Sequence, residues 1–205
     1  MNSKTRNPEP GTRNPTTIGI INTNAGNVTS LIHAMTRLGK ETRLLTSPDD
    51  LSGISQLVIP GQGHFGSVMD HLTETGWVTA IHNWVAEGKP LLGICVGLQI
   101  LFEESEEAPG VAGLGIFSGQ VTRLRSPKQP MVGWAEVNWV GDRFPNGAAY
   151  FVNSFVVRDA VEGVAQTTYG EQFCAVVERG SVIAFQFHPE KSGDYGRRIF
   201  EQWLA

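Results

Sequence analysis

Pro90-Leu-Leu-Gly-Ile-Cys-Val-Gly-Leu-Gln-Ile-Leu-Phe102 is the stretch from which this chain is best read. Leu91, Leu92, Ile94 and Val96 make a short apolar run bounded by Pro90 and Gly97, the pattern of a buried strand. Leu98, Leu101 and Phe102 then recur at helical spacing. Cys95 therefore falls at a strand-to-helix turn. Gly93-Ile-Cys-Val-Gly97 has the G-x-S-x-G spacing of a nucleophile elbow, with sulfur in place of oxygen. A sharp turn brings backbones close and demands dihedrals that a side chain resists, which gives each glycine a reason to be there. Free N–H groups at a helix start attract an anion, and the thiolate is the nucleophilic form of cysteine. The same groups can bind an oxyanion formed when sulfur attacks a carbonyl. A buried core thiol is the commoner fate of a free cysteine, so a second stretch has to decide.

That stretch is Ile183-Ala-Phe-Gln-Phe-His-Pro-Glu-Lys-Ser192. Ile183, Phe185 and Phe187 alternate as a strand does, and Pro189 ends it just after His188. Glu190 follows two residues later. A cysteine nucleophile needs a base within hydrogen-bond reach, and the base needs an acceptor that orients its other nitrogen. Cys95, His188 and Glu190 at the ends of strands in one sheet can converge on one edge. His188 alone would read as a core or loop histidine; with the elbow and Glu190 it reads as the base.

Around these stretches the chain alternates strand and helix. Thr17–Ile21, Glu41–Leu45 and Gln56–Pro60 read as strands, while Val28–Leu38, Ser67–Leu72 and Trp77–Glu87 read as helices. This implies right-handed crossovers and an α/β fold: one domain in three layers, with a mixed, mostly parallel sheet between helices. Sites in such sheets lie outside the carboxyl ends of the strands. Cys95 and the glycine-rich Gly61-Gln-Gly-His-Phe-Gly66 both map there. That loop lacks the Gly-Lys-Ser/Thr ending of a phosphate loop. His64 within it reads as packing or polar surface. Beyond Gly119, short β runs separated by turns (120–124, 132–139, 149–157, 164–169, 173–178 and 181–187) suggest the antiparallel half of the sheet, and residues 193–204 a closing helix. Cys174, inside a strand, reads as an inert core thiol.

Composition narrows the class. With 205 residues, 40% of them hydrophobic, the chain can bury a sizeable core. A net charge of −4 without a Lys/Arg cluster argues against a nucleic-acid or membrane surface. Two cysteines make no disulfide framework and suit a reducing, cytoplasmic setting. Met1–Thr16 is polar, repeats Thr-Arg-Asn-Pro, and is expected to be a disordered tail before a domain at 17–205. No clustered Cys/His pairs have metal-ligand spacing, so neither metal nor organic cofactor is expected.

The motifs around Cys95 and His188 resemble the two signatures of class I, triad-type glutamine amidotransferases. Pro60–Gly66, Phe102–Glu107, Gly113–Gly119, Gly133-Trp134, Tyr150–Phe155 and His188–Ser192 are similar to one branch, the glutaminase subunit of imidazole glycerol phosphate synthase. The resemblance runs from about Thr17 to the C-terminus. It implies Cys95, His188 and Glu190 as the triad, and glutamine as substrate, hydrolysed through a thioester. It also implies an oxyanion site from Val96 N–H and the Gly61, Gln62 and Gly63 loop. Gln99 and Glu107 would hold the substrate, Glu107 facing its α-ammonium, with Ser154 and Phe155 beside them. Without the resemblance, the acidic run 103–107 reads as a solvated helix end. The implied partner is a (β/α)₈-barrel cyclase in a heterodimer, with Tyr150 and Lys191 at the interface. The chain departs from the branch at Asn22–Asn27, in Pro130-Met-Val-Gly-Trp-Ala135, at Asn153 and Phe155, and at Gln62. None of these touches the triad. Several would face the partner, so a paralogous subunit feeding a different synthase, such as a sugar-aminating one, stands as the alternative.

Overall fold

A computed structural model describes residues 17–25 and 28–205. The expected tail, Met1–Thr16, lies outside them. In chain order the elements are β1 (Thr17–Ile21), α1 (Thr29–Arg37), β2 (Glu41–Leu45), β3 (Gln56–Ile59), α2 (Phe65–Glu74), α3 (Trp77–Ala86), β4 (Leu91–Ile94) and α4 (Val96–Gln99). Then follow β5 (Glu104–Ser105), β6 (Gln120–Arg123), β7 (Met131–Trp139), β8 (Gly147–Asn153), β9 (Phe155–Val156), β10 (Gly163–Tyr169), β11 (Glu171–Arg179), β12 (Val182–Phe185) and α5 (Gly193–Trp203). Short 3₁₀ turns occupy Pro48–Leu51 and Pro189–Lys191.

Nine strands form one sheet in the order β2-β1-β3-β4-β12-β11-β10-β7-β8. The first five are mutually parallel and the rest antiparallel. Parallel strands covered on both faces read as unbroken apolar runs, and β3 and β4 are buried in this way. Side chains alternate between two cores. Leu57, Ile59 and Leu91 enter one with Phe65, Leu72, Trp77 and Ile81 from α2 and α3. Val58 and Leu92 enter the other with Leu31 and Met35 from α1 and Ile199 and Phe200 from α5. Helices thus cover both faces of the sheet, giving three layers. Among the described residues, no helix is long and apolar enough to cross a membrane.

Three local expectations need correction. The helix after Cys95 stops at Gln99 rather than running to Phe102. Past Gln99 the chain tightens to i→i−3 bonds, from Leu101 N–H to the Leu98 carbonyl and from Phe102 N–H to that of Gln99, while Leu114, Phe117 and Gly113 N–H groups dock on the carbonyls of Ile100, Leu101 and Glu103. A Cβ on Gly113 would run into the Phe102 carbonyl oxygen, so this loop can lie so close only as glycine. Secondly, the strands after Gly119 are not all the antiparallel half. β12 pairs parallel with β4, and β6 and β9 leave the main sheet to join β5 in a three-stranded one, the run breaking at Ser154. Thirdly, the acidic run does not end a helix: it carries the short strand β5, although Glu103, Glu104 and Glu106 are exposed as expected. Carboxylates of Glu103, Glu106 and Glu107 accept the backbone N–H groups of Gly119, Arg123 and Phe65 at 2.8, 2.6 and 2.7 Å, stitching this turn to distant segments.

The placement of β12 is what builds the site. Its register sets Ala184 beside Gly93 and Phe185 beside Ile94. The chain therefore leaves both strands at the same level, toward Cys95 on one side and His188 on the other.

Candidate active site

Cys95 sits in the left-handed region at φ 52°, ψ −106°, where a side chain is strained by about 1–3 kcal/mol. The surrounding structure holds it there. Its N–H donates to the Phe185 carbonyl at 2.7 Å. A Cβ on Gly93 would lie 2.6 Å from the Gly97 carbonyl oxygen, and one on Gly97 would collide with the carbonyl oxygen of Ile59. Gly61 answers to the same crowding, since its Cβ would come within 2.5 Å of the Ile94 carbonyl oxygen and 2.9 Å of Cys95 Cβ. Ends of β3, β4 and β12 meet here, as the glycines in the motif foretold.

His188, only 2% exposed, meets Glu190 Oε1 with Nδ1 at 2.8 Å and lies near enough to Cys95 for the sulfur to act on its titration. Its backbone N–H donates to the Tyr150 carbonyl at 2.9 Å, and Ser192 Oγ donates to the His188 carbonyl at 2.7 Å. The 3₁₀ turn begun by Pro189 then carries Glu190 back beneath the ring. Burial opposes the charged imidazole, but hydrogen bonds and Coulombic attraction from Cys95 and Glu190 outweigh it and raise the pKa to about 9. These attractions favour the cationic ring beside the sulfur.

Beside Cys95 lies a cavity of about 170 Å³ lined by Gly63, Val96, Gln99, Glu107, Ser154 and Phe155. The sequence expectations for these six thus come together at one place. Gln99 meets the cavity with restrictions: its amide N–H groups donate to the Phe155 carbonyl at 3.0 Å and to Gln186 Oε1 at 3.2 Å. Only its own carbonyl oxygen is left to face a ligand. Glu107 is held by one oxygen on Phe65 N–H. Gly61 and Gln62 line a different, smaller hollow next to Glu190, so of the loop only Gly63 borders the cavity. His64 caps α2, its Nδ1 accepting from Gly66 N–H at 3.2 Å. Tyr150 packs edge-on against Trp134, ring centroids 5.9 Å apart. Lys191 borders a larger cavity shared with Glu190, Arg37 and Arg197, and makes no ion pair among the described residues. Cys174 is buried, its thiol pKa raised by that burial, and plays no part here.

Two participants escaped the sequence reading. The Val152 carbonyl lies 3.6 Å from Cys95 Sγ, and Gln186 Nε2 lies 3.7 Å from it. A backbone carbonyl carries no sequence signal. Gln186 did carry one: it is the sole polar side chain between Phe185 and Phe187 in an apolar strand end, and it is fully buried.

Residues 20–205 match the family described as glutamine amidotransferase class-I. The chain belongs to this family. A Thermotoga maritima relative, imidazole glycerol phosphate synthase subunit HisH, is 42% identical over 193 residues, covering 90% of this chain and 94% of the relative. The Deinococcus radiodurans protein of the same name is also 42% identical, covering 84% and 85%. In Emericella nidulans the similar protein is imidazole glycerol phosphate synthase hisHF, 35% identical, of which this chain spans 38%. Among solved structures, one titled glutamine amidotransferase superposes with a TM-score of 0.77 at 25% identity, covering 91% of this chain and 96% of that one. The fold of this chain is therefore one that it shares with a solved glutamine amidotransferase.

Proposed function

We propose that this amidotransferase is the glutaminase subunit of an imidazole glycerol phosphate synthase in histidine biosynthesis, with Cys95, His188 and Glu190 as its triad. The observation that carries the chemistry is the meeting of Cys95, His188 and Glu190 at the carboxyl edge of the sheet, where β12 pairs with β4 and His188 Nδ1 stands 2.8 Å from Glu190 Oε1. Cys95 thiolate attacks the side-chain amide carbon of glutamine. The oxyanion is held by Val96 N–H and one from the Gly61–Gly63 loop. His188 starts as the cation and gives its proton to the departing ammonia.

The change of role that follows has a physical cause in the same contacts. Once sulfur is a neutral thioester, two of the attractions that raised the His188 pKa vanish, leaving Glu190 against burial. The ring becomes a competent base and takes a proton from the incoming water. Glutamate leaves and the thiolate returns. Glu107, with one oxygen fixed on Phe65 N–H, offers the other to the substrate α-ammonium.

The partner in this reading is a (β/α)₈-barrel cyclase, forming a heterodimer. It uses the ammonia to convert a phosphorylated ribulosyl intermediate into imidazole glycerol phosphate and an aminoimidazole carboxamide ribotide. Ammonia must not escape to water, where protonation ends its nucleophilicity. A surface suited to such a partner lies on β7 and β8, where Val132 and Trp134 are 57% and 58% exposed near Tyr150 and Lys191. The single-chain hisHF name of the fungal relative fits a glutaminase and a synthase working as one unit.

The test is glutamine hydrolysis by the purified chain with and without the barrel subunit and its ligand. Addition should raise a low resting rate. Cys95→Ser should abolish glutamine-dependent turnover while sparing ammonia-dependent cyclase activity. Loss of both activities would assign Cys95 to docking or folding instead, and failure to complement a histidine auxotroph would favour a different synthase.

A further inference from the structure

Gln186 leaves β12 fully buried, its backbone N–H held on the Ala175 carbonyl at 2.8 Å. Its neighbours leave its carboxamide one orientation. The Phe155 carbonyl can only accept, so the Gln99 atom that meets it at 3.0 Å is the amide nitrogen. That nitrogen donates its second N–H at 3.2 Å, so the Gln186 atom there is the oxygen. The remaining amide atom, Nε2, then faces Cys95 Sγ at 3.7 Å. One backbone carbonyl, through two side chains, thus aims an N–H at sulfur.

The two neighbours of Sγ favour opposite protonation states. The Val152 carbonyl, at 3.6 Å, can accept from a thiol but repels a thiolate. The Gln186 N–H can donate to a thiolate, and hydrogen bonds to charged groups are about twice as strong as neutral ones. We propose that Gln186 is a positioning residue that holds Cys95 as the thiolate and transmits the placement of Gln99 to the sulfur. This rests on Cys95 being the nucleophile. In deacylation water adds to the thioester carbon, giving its proton to His188. The C–S bond then breaks and its electron pair returns to sulfur, where the Gln186 N–H receives it. Gln186 therefore serves both the resting thiolate and its departure as a leaving group.

The experiment uses the full chain carrying Cys174→Ser, so that Cys95 is the only thiol. Alkylation by iodoacetamide and glutamine turnover are followed across pH for the parent, Gln186→Met and Gln99→Met. Met keeps the bulk of Gln but donates nothing. Gln186→Met should slow alkylation roughly tenfold at neutral pH, with the rates converging at high pH where the thiol ionises in both. Gln99→Met, which releases the Gln186 oxygen, should give a smaller loss of the same form, and the double variant no more than Gln186→Met alone. A pH profile unmoved in either variant, or lowered by one factor at every pH, overturns the proposal. Should Gln186→Met not fold, the Gln99→Met profile alone decides. The underlying reading fails separately, if fully alkylated parent protein still turns over glutamine.

Discussion

Replacing Glu190 by Gln tests the triad at its least replaceable point. The perturbation is nearly isosteric and removes one negative charge. Glu190 Oε1 accepts from His188 Nδ1 at 2.8 Å, and a Gln carbonyl oxygen can still do so. Oε2, however, is buried without a hydrogen-bond partner among the described residues. In the variant that position becomes an NH₂ group with nothing to donate to, a cost of about 1–3 kcal/mol. Flipping the amide relieves it only by turning a donor onto Nδ1 and forcing the wrong tautomer. The charge matters as much as the shape. His188 stands at about 9 against an ordinary 6.5, a gap of roughly 3 kcal/mol that Cys95 and Glu190 together hold up against burial. Without the Glu190 charge the pKa falls toward 6.5. The sign follows directly: activity needs the imidazolium, so it is retained below the pKa and lost as pH rises through it. Initial rates of glutamate formation, measured with the barrel subunit bound, should show an alkaline limb near 9 in the parent that moves down in Glu190→Gln. The rate at the new optimum should drop by roughly 10²–10⁴. An alkaline limb unchanged in the variant would refute the role given to this carboxylate.

Other outcomes follow from the same coordinates. Gly97→Ala drives a Cβ into the Ile59 carbonyl oxygen, where backbone must give way; about 1–3 kcal/mol of stability should disappear in a denaturant titration. Glu107→Gln should raise KM for glutamine more than it lowers kcat if, as proposed, the carboxylate holds the substrate α-ammonium far from the reacting carbon. It should also weaken the start of α2 by about 0.3–1 kcal/mol, since a charge on Phe65 N–H is lost. Trp134→Ala removes the largest exposed aromatic of the β7–β8 surface. Calorimetric titration should then show barrel-subunit affinity lower by at least about 2 kcal/mol, with resting glutaminase activity unchanged. Equal affinity would move the docking surface elsewhere.

Much of this site was legible in the sequence because each part of it is a local rule. A glycine-flanked cysteine after an apolar run can be only a few kinds of turn, and His188-Pro-Glu190 places a carboxylate one short turn from an imidazole. The alternation of β and α up to Phe102 announced the parallel sheet and the edge on which a site would lie. Extent of helix was less legible. Leu98, Leu101 and Phe102 have helical spacing, yet past Gln99 the chain turns by i→i−3 bonds and receives the loop 113–117 on its next carbonyls. Periodicity records which residues are buried, and a tightly packed turn buries the same ones.

What the tertiary structure alone decided is the pairing of β12 with β4, which sets Phe185 beside Ile94 and so brings His188 to Cys95 across more than ninety positions of chain. The carboxylates of the 103–107 run likewise found backbone N–H groups far away in sequence, as did the amides of Gln99 and Gln186. Strand order and hydrogen-bond partners depend on which surfaces meet after the chain has closed on itself. A one-dimensional pattern states what each segment must bury, and leaves open against which neighbour it does so.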